Sequence, residues 1–201
     1  MTTNPVGFDD ALQATVPLTQ VPALETLTAE QTLDEWQQLL REQRQARPVF
    51  ELALRHLRDH LPDGGTALQL VHGDYRLGNL MVGGDGLRAV LDWELCHIGD
   101  PLQDLAWLCL PPWRFGRLEA PAGGLGTREE LYRAYEAASG TRVERARVHF
   151  WEIFGSVRWG SMCSGMLDWF RDGRDRSVER AMIARRASES ELDLLRILRE
   201  E

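Results

Sequence analysis

The stretch Val71 to Leu80 reads VHGDYRLGNL and brings His72, Asp74, Arg76 and Asn79 close together in the chain. A second acid, Asp92, follows Asn79 at position 92. Three oxygen-bearing side chains of this kind suit phosphoryl transfer if they converge. That reaction needs a carboxylate to accept the proton of an attacking hydroxyl. It also needs hard oxygen ligands that leave part of a Mg2+ shell open to phosphates and water. Asp74 fits the first role, and Asn79 with Asp92 fits the second. An uncharged amide beside one carboxylate holds Mg2+–ATP without excess negative charge near the phosphates. Gly73 and Gly78 permit unusual backbone angles or the close approach of a neighbouring chain.

Convergence requires a hairpin, and the flanking residues supply one. ALQLV (67–71) is strand-like and leads into the cluster. NLMV (79–82) meets GGDG (83–86), a hairpin-type turn, and LRAVLDW (87–93) returns. A turn at 83–86 sets positions 79–80 beside 91–92. Asp74 then lies in the loop before the hairpin, and Asn79 and Asp92 lie at its open end.

The rest of the chain reads as helix. Thr32 to Glu35 has the form of a capping box, with a helix expected to about Arg44 and Leu33, Trp36 and Leu40 on one face. Pro48 suits the first turn of a second helix. There Phe50, Leu54, Leu57 and Leu61 form an amphipathic stripe, ended by Pro62 to Gly65. Further helices are expected near 101–110, 127–139, 144–171 and 175–199. The Pro/Gly-rich loop 111–126 is long enough to suggest a functional or mobile segment. Residues 1–31 lack a sustained period and read as an arm or loose lead-in. The fold class is α+β, mainly α-helical, with a small β-hairpin near its middle.

Composition narrows the partners. The chain has 201 residues, 23 basic and 31 acidic, for a formal charge of −8. That balance argues against non-specific nucleic-acid binding. Every basic residue is arginine, so a mechanism that needs a lysine within this chain is excluded. Cys96, Cys109 and Cys163 are odd in number and form no C-x-x-C pair, which points to a reducing compartment. No signal pattern or apolar run of membrane-spanning length is present, so a cytoplasmic protein is expected, with no membrane partner.

HGDYRLGN followed by LDWE resembles the aminoglycoside phosphotransferases and choline kinase-like enzymes, relatives of the protein kinases. The likeness continues through CHIGDPLQDLAWLCL, TREELYRAYEAASG and FWEIFGSVRWG, over roughly residues 45 to 200. It is nearest to the branch linked to acyl-CoA dehydrogenases. The resemblance implies a protein-kinase-like C-terminal lobe over 45–201, catalytic and acceptor-binding, preceded by an arm and lead-in helix at 1–44. It implies Asp74 as catalytic base and Asn79 and Asp92 as Mg2+ ligands, with ATP as phosphate donor and a small-molecule hydroxyl as acceptor. His72 would brace the loop by hydrogen bonds, and Glu94 would tune the metal shell. The family's N-terminal nucleotide-binding lobe, with its sheet, phosphate loop and lysine, is expected to be absent from this chain. It would act as a separate lobe or subunit.

Plainer readings stand beside these. Asp100 before Pro101, with Gln103, reads as a helix cap, and Asp104 could hydrogen-bond the catalytic loop from that helix. The run Trp151, Phe154, Trp159, Trp169 and Phe170 reads as core. Trp113, Arg114 and Phe115 could line an acceptor pocket. Arg76 could bind a substrate or phosphate anion, or pair with a surface acid. Two rival functions remain open. One is a truncated or pseudo-kinase lobe that binds a ligand or partner without activity. The other is a two-metal hydrolase using His72, Asp74, Asp92 and His97. Acids of the C-terminal helices alternate with arginines, which disfavours polycationic aminoglycosides. A neutral or acidic hydroxyl substrate fits better, with a hydroxyacyl thioester suggested by analogy alone.

Overall fold

A computed structural model describes residues 24–64 and 67–200. Most of the lead-in arm therefore lies outside the described residues. The chain divides into two compact units, Met1–Leu27 with Gly64–Glu152, and Thr28–Asp63 with Ile153–Glu201.

Among the described residues, the first unit carries all four strands. β1 (Gln69–Val71) pairs antiparallel with β4 (His97–Gly99), and β2 (Leu80–Gly83) with β3 (Gly86–Val90). The expected hairpin is thus present, and the strand before the loop pairs with a segment beyond it. In the hairpin Leu80 faces Val90, and the Leu91 amide donates to the Asn79 carbonyl at 2.8 Å. Thr26 bridges Ile98 on the far side of β4, and Leu27 N donates to Ile98 O at 2.9 Å. Helices α3 (Leu102–Leu108) and α4 (Arg128–Ser139) complete the unit, with the first turns of α5 (Arg145–Arg171). Thr127 and Glu130 form a reciprocal capping box at the start of α4, and Gly140 ends it in the left-handed region.

Asp100 ties this unit together. Its Oδ1 accepts from Leu102 N at 3.0 Å, so it caps the start of α3. Its Oδ2 accepts from Arg147 Nε and from Trp151 Nε1 on α5. Asp100 is 5% exposed, and a buried charge is tolerable there because Arg147 answers it.

The second unit packs α1 (Ala29–Glu42), α2 (Pro48–Asp59) and α7 (Ala187–Glu200), with α2 against both others. Leu33, Leu40, Phe50, Leu54, Leu57 and Leu194 are buried there. Leu61 lies past the end of α2 and is exposed. The capping box of α1 is Thr28 with Gln31, four residues earlier than expected. Thr32 sits inside the helix, and its hydroxyl donates to Thr28 O. The helix expected over 175–199 is two, α6 (Val178–Ala184) and α7.

Candidate active site

The loop after β1 turns sharply because Gly73 adopts φ +83°. A Cβ there would lie 2.5 Å from the Leu95 carbonyl oxygen, so the turn needs glycine for both conformation and space. His72, fully enclosed, then bonds in two directions. The Asp74 amide donates to its Nδ1 at 3.1 Å, which leaves the proton on Nε2 to be donated to Leu91 O at 2.9 Å. One imidazole thus joins the loop to the residue before Asp92. Its ring also packs on Trp93, centroids 4.6 Å apart.

Asp104 holds the same loop from α3. The amides of His72 and Gly73 donate to its two oxygens at 2.7 and 3.0 Å. Burial pushes the Asp104 carboxyl above the usual carboxylate range, although those two amides pull it down. Burial, then the Asp104 charge, pushes the nearby Tyr75 phenol up to about 12.

Among the described residues, the Asp74 carboxylate has three partners. Trp107 Nε1 donates to Oδ1 at 2.8 Å, Asn79 Nδ2 donates to Oδ2 at 2.8 Å, and Arg76 Nε reaches both oxygens at 3.1 Å. Asn79 Nδ2 also donates to the Asp74 carbonyl at 2.9 Å. The amide nitrogen of Asn79 is therefore committed to Asp74, and Oδ1 is the atom left for a cation. Asp92 follows directly on Leu91, the residue paired with Asn79, and is exposed. Its backbone is left-handed, φ 69° and ψ 59°, and its side chain makes no capping bond. A non-glycine residue in that region is uncommon, and such strain gathers at functional sites. Asn79 Oδ1 and the Asp92 carboxylate are hard oxygen donors, the class that Mg2+ takes, so the residues present fit that ion. Glu94 is exposed two positions further on.

The loop residues Trp113, Arg114 and Phe115 part company. Trp113 packs on Trp107, centroids 5.6 Å apart, and carries the Arg76 guanidinium 5.1 Å above its ring. Arg114 turns away, donating to the Cys109 carbonyl at 3.1 and 2.7 Å. Phe115 is 67% exposed. Trp107 was not singled out by sequence reasoning. The signal lay in DLAW: Trp107 falls three residues after Asp104, on the same helix face, so both reach the loop.

His97 Nδ1 donates to Leu95 O in the tautomer that leaves Nε2 without a partner. Among the described residues no three His, Cys, Asp or Glu side chains form a metal group. Since both His72 nitrogens are engaged, the two-metal arrangement lacks its geometry. Burial pushes the Cys109 and Cys163 thiols up to about 12, which makes them unreactive. No described helix is long and apolar enough to cross a membrane.

A family model described as phosphotransferase enzyme family matches residues 6–148. Acyl-CoA dehydrogenase family member 11 of Pongo abelii is 28% identical over 147 residues, covering 68% of this chain and 19% of that protein. A solved Ralstonia eutropha structure, named for the aminoglycoside phosphotransferases, superposes with a TM-score of 0.77 at 22% identity. It covers 94% of this chain and 61% of its own. A choline/ethanolamine kinase family protein from Mesorhizobium loti gives 0.65 at 18% identity, covering 93% and 59%. The chain thus spans about a fifth of the curated relative and three fifths of the solved ones. The fold is that of a protein-kinase-like C-terminal lobe, helical with a small antiparallel hairpin.

Proposed function

The chain belongs to the phosphotransferase enzyme family, and from that premise we propose that it is the catalytic, acceptor-binding part of an ATP-dependent small-molecule kinase. One observation carries the reading. The Asp74 carboxylate is held from two sides by Asn79 and Trp107, and the hairpin register sets Asp92 next to the partner of Asn79.

In this reading Asp74 orients the acceptor hydroxyl and takes its proton as the oxygen attacks the γ-phosphorus, with ADP leaving. Asn79 and Asp92 would hold Mg2+, which supplies positive charge at the ATP phosphates, and Glu94 tunes that shell. His72 and Asp104 keep the loop in position. Arg76 places a cation 3.1 Å from both base oxygens, which favours a neutral or acidic acceptor over a polycation. The ATP phosphates need a further cationic clamp, which a nucleotide-binding lobe or subunit provides. The buried thiols suit a reducing, cytoplasmic setting.

Asp74→Ala tests the assignment in protein assembled with a nucleotide-binding lobe. Transfer from Mg2+–ATP, read as acceptor-dependent ADP release over a panel of hydroxyl compounds, should fall by about 10²–10⁴-fold. Unchanged release sinks the assignment. A second reading, a ligand-binding lobe without activity, is favoured by one fact: none of the 201 residues is lysine. It predicts no acceptor-dependent release from the wild type in the same assembly.

A further inference from the structure

Among the described residues, three groups donate to the Asp74 carboxylate, and their surroundings differ. Trp107 is 3% exposed and Asn79 5%. The Arg76 side chain is 29% exposed and that of Asp74 is 15% exposed. An incoming hydroxyl needs a lone pair on Asp74; the three donors make four contacts, which fills the roughly four lone-pair sites of a carboxylate, so one contact must give way. Trp107 cannot do so easily. Its ring lies on the buried face of α3, packed on Trp113, and α3 is fixed at its start by the Asp100 cap and at its middle by the two bonds from Asp104 to the loop. Asn79 also cannot, because the same amide nitrogen holds the Asp74 carbonyl. Arg76 is different. It reaches solvent, it bonds through one nitrogen shared between two oxygens, and the Trp113 ring offers its guanidinium a second resting place.

We propose that Trp107 is the positioning residue of Asp74, holding Oδ1 through its indole N–H, and that Arg76 is the donor an acceptor hydroxyl displaces. The inference rests on Asp74 as the base. It adds that the base is aimed from α3, by a residue outside the loop that carries it. A fixed donor on the far side of the carboxylate keeps the remaining lone pairs turned toward the acceptor, which is how a supporting contact improves a reacting geometry. Trp107 touches no reacting atom in this scheme, so its effect passes through Asp74.

The test uses the full chain labelled with 15N and needs no substrate. Seven tryptophans give seven indole N–H resonances. Trp107→Phe keeps an aromatic ring in the core and identifies the Trp107 resonance by its loss. In Asp74→Asn the Trp107 resonance should move upfield as it loses a charged acceptor. The Trp151 resonance, bonded to the separate carboxylate of Asp100, should stay in place and shows that the fold persists. In Arg76→Gln the Trp107 resonance should keep its position and its slow solvent exchange. A Trp107 resonance unmoved by Asp74→Asn overturns the proposal. So does one that Arg76→Gln shifts as far as Asp74→Asn does, because the two donors would then be one coupled unit. Both results are independent of turnover, so Asp74 can fail as a base while the Trp107 contact stands, and the reverse.

Discussion

Gly73 and Asp74 are neighbours with opposite relations to the sequence. Asp74, Asn79 and Asp92 stand out in the sequence as a candidate group because their residue types and spacing suit one chemistry. What the sequence could not show was how the Asp74 carboxylate is held, because Trp107 lies thirty-three residues away and meets it only after α3 has packed. Trp113 and Arg114 illustrate the same limit. They are adjacent in sequence, yet one approaches the site and the other bonds the end of α3. Gly73 yields a prediction at this scale. Alanine there would sit at φ +83° with its Cβ 2.5 Å from a backbone oxygen, and backbone cannot step aside as a flexible side chain can. Gly73→Ala should cost about 1–3 kcal/mol, read as a lower denaturation midpoint. The His72–Leu91 bond should weaken with it, since both belong to the same turn. A variant as stable as the wild type would show that the loop has another conformation available.

The elements followed their local signals where those were unambiguous. Pro48 begins α2, and the turn at 83–86 closes the hairpin. The start of α1 differs from the sequence expectation because two T-x-x-[E/Q] patterns follow one another, at Thr28 and at Thr32. The first prevails because the chain just before it is extended, bridged at Thr26 to β4. β4 itself has only three residues, too few for alternation to be seen, and it exists because β1 pairs with it. The break between α6 and α7 carries no glycine or proline, and the buried Ala184 and Ala187 flank it. Helix α6 has its own electrostatic start. Asp175 accepts from Ser177 N and Arg180 Nε, both at 2.9 Å, and those bonds, the Ser177 amide first, lower its pKa from 3.8 to about 2. A carboxyl depressed in the folded state stabilises it above the unfolded pKa and ceases to do so as pH falls through the folded one. The stability gap between wild type and Asp175→Asn should therefore be full above pH 3.8 and close toward about pH 2. Urea unfolding of both proteins across that range, followed at α6 amides, measures it. A gap that does not change with pH would mean that the contacts work through shape rather than charge.

At the scale of the whole molecule, charge and residue usage set what the chain can hold. Its formal charge is −8, and its 23 cations are all guanidinium groups. Many are already committed within the fold: Arg147 to Asp100, Arg128 to Glu152, Arg44 to Asp172, Arg180 to Asp175. Arg76, beside the candidate site, is bonded to Asp74, the proposed base. A polyphosphate approaching Asn79 and Asp92 therefore meets two carboxylates and a net negative field, with a divalent ion as its main attraction. The kinase-like fold was legible from the loop and hairpin motifs because local spacing encodes them. Affinity for nucleotide is not local in that sense, since it sums over every charge within about a Debye length. Calorimetry of the chain with Mg2+–ATP should accordingly give a Kd no tighter than about 1 mM. The heat should fall further as salt is raised from about 0.05 to 0.15 M, where screening weakens the residual attraction through the ion. Adding a nucleotide-binding lobe should tighten the Kd, because a phosphate clamp then adds to the ion that Asn79 and Asp92 are proposed to hold. Micromolar binding by the chain by itself would mean that guanidinium groups supply the clamp, and Arg76→Gln would then be the variant that abolishes it.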